Sequence, residues 1–110
     1  MSDRPIDLRM WRQFVAVAQE LHFGRAARSL HMTQPPLTQG IAQLEALLGV
    51  RLFERSKRSV RLSAGGAALL PQVQDLLARA QALPAVARAA ADGQAGRLRL
   101  AFVSTVGYTL

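Results

Sequence analysis

Between Thr33 and Leu48 the chain reads TQPPLTQGIAQLEALL, in which Leu37, Ile41, Leu44 and Leu48 recur at steps of four, three and four. That is the period of a single buried stripe on a helix. Both ends are marked. Thr33 is placed to cap the first backbone donors, Pro35 and Pro36 fall in the first turn, where a missing N–H costs nothing, and Gly49 ends the helix. An advance of about 100° per residue puts Pro35, Gln39, Ala42 and Ala46 opposite the stripe, Thr38 on its flank, and Gln34 and Pro36 at the tip. A solvated face usually carries Lys and Glu. A face of Gln, Thr and Ala is uncharged, can lie against a flat edge and can exchange hydrogen bonds with it, as a reading surface must.

Before this helix, GRAARSL (Gly24 to Leu30) predicts a short helix whose Ala26 and Ala27 permit close approach, and only His31 and Met32 intervene. Two helices joined by so tight a turn make a helix-turn-helix. The stretch from Phe14 to Leu70, with its AA…L…TQPPLT core, its LE.LLGV.LFER strand entry and the basic residues that follow, closely resembles the amino-terminal DNA-binding segment of LysR-type transcriptional regulators. More weakly, the resemblance extends over the whole chain. It implies a mainly α fold: a winged helix-turn-helix of three helices and a two-stranded β wing, followed by a long dimerisation or linker helix.

Composition is consistent with that fold. Aromatics make up 5% of the 110 residues against 50% hydrophobic, so the core is mainly aliphatic and alanine-rich, in one small domain. Fourteen Lys and Arg against seven Asp and Glu leave a formal charge of +7, which suits a polyanionic partner. Charge alone does not choose nucleic acid over membrane. No apolar run approaches the roughly 20 residues of a bilayer span, and the amino terminus lacks a signal-peptide layout, which predicts a cytoplasmic protein with no membrane partner. With no cysteine there are no disulfides or thiolate sites, and His22 and His31 lack acidic neighbours at ligand spacing, so neither metal nor cofactor is expected in this fragment.

Along the chain, Met1 to Asp7 is a polar arm. Leu8, Trp11, Phe14, Val15 and Ala18 then predict a first helix to Glu20 that packs beneath the helix-turn-helix, with Trp11 as core or interface. Leu21 to Phe23 bend the chain and send Phe23 into the core. Many members of the resembled family carry Ser or Thr where Gly24 sits, so no phosphate contact is assigned to Gly24. Arg25 is placed on phosphate, with a plain solvated charge as the alternative.

After Gly49 the period changes to two. VRLFER (Val50 to Arg55) and SVRL (Ser59 to Leu62) predict a hairpin turning at Ser56 to Arg58, in which Arg51, Arg55, Lys57, Arg58 and Arg61 face one acid, Glu54. A solvated hairpin could carry such charge, but beside a helix-turn-helix it suits phosphate or the minor groove. Ser63 then caps a helix from about Ala64 to Ala91, although Gly66 stands where a capping box needs Glu or Gln, which predicts a frayed start. Leu69, Val73, Leu76, Ala80 and Leu83 form a heptad-like seam. A helix spanning roughly 40 Å at about 1.5 Å per residue exceeds what so small a domain covers, so the seam predicts a homodimer. Pro71 and Pro84 interrupt its hydrogen bonding and predict bends. AADGQAG (Ala90 to Gly96) reads as a linker and RLRLAFV (Arg97 to Val103) as a strand. The expected limits are therefore 1–63 for the winged domain, 64–91 for the linker helix, and 92–110 for a hinge and the first strand of a truncated effector-binding domain.

The function expected is sequence-specific binding of double-stranded DNA. The helix from Thr33 enters the major groove, Thr38 and Gln39 read bases, Gln34, Pro35 and Pro36 set the tip, and Arg25, Arg55, Lys57 and Arg58 hold the backbone. By resemblance the parent regulator binds interrupted palindromes, forms dimers and further tetramers, and answers to a small-molecule inducer. Many LysR-type sequences carry Arg at Gln39, and that departure shifts the expected base preference from guanine toward adenine. A helical protein-interaction module leaves the uncharged face and the basic hairpin unexplained. An enzyme would need a clustered nucleophile, base and acid or a phosphate-cradling loop, and the sequence has neither.

Overall fold

A computed structural model of the chain describes residues 5–100, and side chains for 5–93. It resolves into two bodies, one up to Leu77 and one from Ala78. The first contains α1 (Leu8–Glu20), α2 (Phe23–Ser29), α3 (Gln34–Leu48), β1 (Phe53–Arg55), β2 (Val60–Leu62) and the beginning of α4 (Ala64–Leu100). This is a mainly α, winged helix-turn-helix arrangement followed by a long helix.

Local polar contacts start the first two helices. The Asp7 carboxylate accepts from the Met10 N–H at 3.0 Å. His22, which carries no obvious capping signal, accepts from the Arg25 N–H through Nδ1 at 2.9 Å. Leu21 and His31 close α1 and α2 in the left-handed region, at φ 50° and 57°. At the second of these ends the Met32 N–H reaches back to the Ala27 carbonyl at 3.0 Å. This is the six-to-one bond of a Schellman end, with histidine where glycine is usual. The turn between α2 and α3 is thereby set by backbone geometry.

The three helices enclose Phe14, Val17, Leu37, Ile41 and Leu44, each at 0% exposure. Each side chain of this size contributes about 1.5–3 kcal/mol on burial. Phe53 joins them from the wing: its ring centroid lies 5.6 Å from Phe14 and 6.2 Å from Phe23. The α1 face is rotated from the one the sequence suggests, because Met10, Phe14 and Val17 are buried while Leu8 is 37% exposed. Gly40 lets α1 approach α3, since a Cβ there would collide with the Gln13 amide.

The wing is shorter than the predicted strands. β1 and β2 pair antiparallel with Phe53 opposite Leu62, Glu54 opposite Arg61 and Arg55 opposite Val60. Val50 to Leu52 lead into β1 without joining the ladder, and Leu52 is buried.

At the start of α4 the expected fraying is absent. Ser63 Oγ accepts from the Gly66 N–H at 2.9 Å and donates to the Arg51 carbonyl at 2.6 Å. A Cβ at Gly66 would run into the Leu52 carbonyl and come within 2.9 Å of Leu62 Cδ2. A capping-box Glu or Gln is sterically barred there, and glycine is what allows the helix to start against the wing. The seam also divides. Val73 is 3% exposed and belongs to its own domain's core, against which Leu69, Leu70 and Leu77 pack, so Val73 is removed from the predicted dimer surface. Leu76 stays 42% exposed in the first body, and Leu83 and Val86 are 63% and 62% exposed in the second.

α4 runs through Pro71 and Pro84 and does not stop near Ala91. Residues 92–96, expected as a hinge, and 97–100, expected as strand, are helical; residues 101–103 of that strand lie outside the described residues. The physical reason is local. Gly93 and Gly96 each cost about 1 kcal/mol against alanine in a helix, but neither forbids one. A strand needs a neighbour for its N–H and C=O groups, whereas a helix satisfies them within itself.

Candidate nucleic-acid interface

Burial of Leu37, Ile41 and Leu44 turns the opposite side of α3 outward. Gln34, Pro35, Pro36, Gln39, Ala42 and Ala46 are turned away from the core, and Thr38 is half-buried at the edge, as the helical spacing requires. The expected cap is missing: Thr33 occupies the cap position, but its hydroxyl makes no cap bond. A capping side chain accepts from the second or third helical N–H. In α3 those positions are Pro35 and Pro36, which have none. The tip therefore presents pyrrolidine rings and the Gln34 amide in place of the usual row of N–H donors.

A cleft separates this tip from the wing. Gly24, Gln34 and Thr38 line it on the helix side, and Lys57 and Arg58 on the turn side. The turn itself is tied by serines: the Ser56 N–H donates to the Ser59 carbonyl at 2.9 Å, and Ser56 Oγ accepts from the N–H groups of Arg58 and Ser59 at 3.3 and 3.2 Å. Glu54 is paired across the strands with Arg61 at 4.0 Å. Lys57 and Arg58 have no carboxylate within ion-pair distance among the described residues and stand exposed at the turn.

Two of the predicted phosphate contacts are held differently. Arg25 Nε pairs with Glu20 Oε1 at 3.3 Å, and its Nη2 donates to the Glu20 carbonyl at 3.2 Å. Both side chains are more than a third exposed, and a pair of this kind contributes less than about 1 kcal/mol, so Arg25 can exchange partners at little cost. Arg55 is not a free cation. Its guanidinium carbon sits 4.5 Å from the centroid of the Phe23 ring, and its Nη2 lies 3.9 Å from Glu45 Oε1. Strand alternation puts Arg55 on the same face as Phe53, and there its head lies over the Phe23 ring and beside Glu45.

Helical spacing assigns no role to Glu45 of α3. Its side chain is 10% exposed. Its Oε2 accepts from the Leu52 N–H at 2.7 Å and the Phe53 N–H at 3.2 Å, which fixes the entry to β1 against α3. No spacing rule signals such a contact between a helix and a loop seven residues on. Among the described residues no group of His, Asp and Glu could hold a metal ion, and no helix is long and apolar enough to cross a membrane.

Residues 8–67 match the family model described as bacterial regulatory helix-turn-helix protein, lysR family. Over 105 residues the chain is 53% identical to the HTH-type transcriptional regulator IlvR of Caulobacter vibrioides, covering 96% of this chain and 36% of that regulator. With AlsR of Bacillus subtilis the identity is 45% over 103 residues, covering 94% and 34%. Among solved structures it is similar to a CbnR DBD–DNA complex, with a TM-score of 0.75 and 41% identity over 78% of this chain and 99% of that one. A BenM DBD bound to benA site 1 DNA gives a TM-score of 0.76 at 35% identity, covering 80% and 99%. The chain thus spans about a third of the length of the curated relatives it matches.

Proposed function

The chain belongs to the LysR family of bacterial regulatory helix-turn-helix proteins, and from that premise we propose that it is the operator-reading module of a transcriptional regulator. The observation that carries this reading is the cleft between the α3 tip and the wing turn, uncharged on the helix side and cationic on the other. Phosphate contacts position a protein on a duplex, and base contacts choose the sequence. In this assignment α3 enters the major groove, with Thr38 and Gln39 on base edges and Gln34, Pro35 and Pro36 against the groove wall. Arg25, Lys57 and Arg58 hold phosphate or the flanking minor groove. The Gln39 amide matches N6 and N7 of adenine in a bidentate pair.

A dimer formed through the uncovered Leu76 and Leu83 of α4 doubles this surface and suits an interrupted palindrome. In the whole protein a small-molecule inducer controls this DNA-binding activity, tetramers form from the dimers, and the site of action is the cytoplasm. The relatives named above are transcriptional regulators, a non-enzymatic class. A purely protein-interacting module would have no use for Lys57 and Arg58 beside an uncharged helix face.

The test is an electrophoretic shift on random duplex DNA across a salt series, followed by selection of bound sites from a random pool. Three backbone cations per subunit in a dimer give a log–log salt slope of roughly −5. Selection yields a two-fold related site with adenine at the position Gln39 touches. Salt-independent binding, or a selected pool without a consensus, contradicts the assignment.

A further inference from the structure

The wing that carries Lys57 and Arg58 has little ladder of its own and is held by what it packs against. Its ladder pairs only three residues with three, and an isolated hairpin of that size is marginal in water. Phe53 anchors the base of the hairpin in the core at 0% exposure. Beyond Phe53, the last ladder pair before the turn is Arg55 with Val60: Val60 packs against the core, and the Arg55 guanidinium lies over the Phe23 ring of α2 and beside Glu45 of α3. Glu45 in turn accepts from the Leu52 and Phe53 N–H groups at the entry to β1. Three elements of the reading unit therefore meet at one cation, whose side chain is 30% exposed where that of Arg61 on the neighbouring strand is 75% exposed.

We propose that Arg55 and Glu45 form a latch that sets the wing turn relative to the reading helix, so that the backbone grip of Arg58 and the base contact of Gln39 are made in register. Both are positioning residues, and Arg55 acts through the turn and not as a phosphate contact of its own. The inference rests on the DNA-binding reading given above. It requires a planar cation, because the guanidinium must lie over the ring while staying within ion-pair distance of the carboxylate; lysine is a compact, strongly hydrated charge that does not substitute at such a site.

The latch separates from a direct phosphate role by the sign of one substitution. Glu45→Gln removes a negative charge from a protein that meets a polyanion, and it keeps an oxygen to accept the Leu52 and Phe53 N–H groups. If Arg55 is a phosphate contact, this change frees it and tightens binding. If Arg55 is a latch, the turn loses its setting and binding weakens.

The experiment uses the full chain, random and pool-selected duplexes, and a double-mutant cycle of Arg58→Ala with Glu45→Gln and with Arg55→Lys, each variant checked by thermal melting. The latch predicts that either change weakens binding and shrinks the effect of Arg58→Ala by at least about threefold, within the range for residues in one network. Hydroxyl-radical protection should fade at the flanks of the site and persist over its centre. Tighter binding by Glu45→Gln, or an Arg58→Ala effect of unchanged size in both backgrounds, overturns the latch while leaving the DNA-binding reading intact. Failure of the wild-type chain to bind either duplex overturns both.

Discussion

Gly65 and Gly66 are neighbours at the start of α4, and the structure assigns them unequal responses to the same substitution. At Gly66 an added methyl group meets the Leu52 carbonyl, with the Leu52 carbonyl carbon at 3.1 Å and Leu62 Cδ2 at 2.9 Å. Leu52 is 1% exposed and its carbonyl accepts the Ser63 N–H at 2.9 Å, so the backbone has nowhere to retreat without breaking that bond. Overpacking of this kind costs about 1–3 kcal/mol, and the strained hydrogen bond adds about 1 kcal/mol. Alanine's helix preference returns at most about 1 kcal/mol. Gly66→Ala should therefore destabilise by about 1–3 kcal/mol, a fall in Tm of roughly 10 °C for a body of this size. At Gly65 the obstacle is Val50 Cγ1 at 2.8 Å, a side chain 47% exposed that can swing into solvent. Gly65→Ala should fall within about 0.5 kcal/mol of the parent, as surface substitutions usually do. Urea unfolding followed by circular dichroism, at one fixed protein concentration, compares the two. Equal losses, or a Gly66→Ala chain as stable as the parent, would refute the idea that close approach of the wing selects glycine there.

His31→Gly should raise stability by about 0.5–1 kcal/mol, since glycine adopts the left-handed turn at φ 57° without a Cβ penalty; no gain in the thermal midpoint contradicts a strained turn. Leu76→Asp should convert the proposed dimer to monomers, because an unpaired charge inside a covered apolar seam costs several kcal/mol. Sedimentation of that variant as an unchanged dimer removes Leu76, 42% exposed in the single chain, from the interface.

The parts of the fold that were legible in the sequence are those written as local period or punctuation. The stripe of Leu37, Ile41 and Leu44, the Pro35–Pro36 start and the Gly49 stop of α3 all fall where spacing places them. So do the outward helix face and the alternating wing, though the wing is trimmed to three residues a side. What spacing missed depends on residues brought together by folding. Gly66 is small because of Leu52, Arg55 finds Phe23 and Glu45 as its partners, and Val73 is buried by its own domain's core. Thr33 fails as a cap for a local reason, the prolines at the two positions whose N–H it would accept. The linker reading of Ala90 to Gly96 overweighted glycine, whose cost in a helix is small beside that of a strand with no partner.

The most direct measurement of the central assignment compares Gln39→Ala and Arg58→Ala on the selected operator and on random duplex, each across a salt series. Gln39→Ala should weaken the operator complex by about 1–3 kcal/mol per half-site and leave the salt slope nearly unchanged. Arg58→Ala should weaken operator and random DNA alike and make the slope shallower by about 0.9 for every phosphate that Arg58 neutralises, counted once per subunit. If Gln39→Ala instead lowers affinity equally for every sequence, α3 only positions the protein and is not its reader.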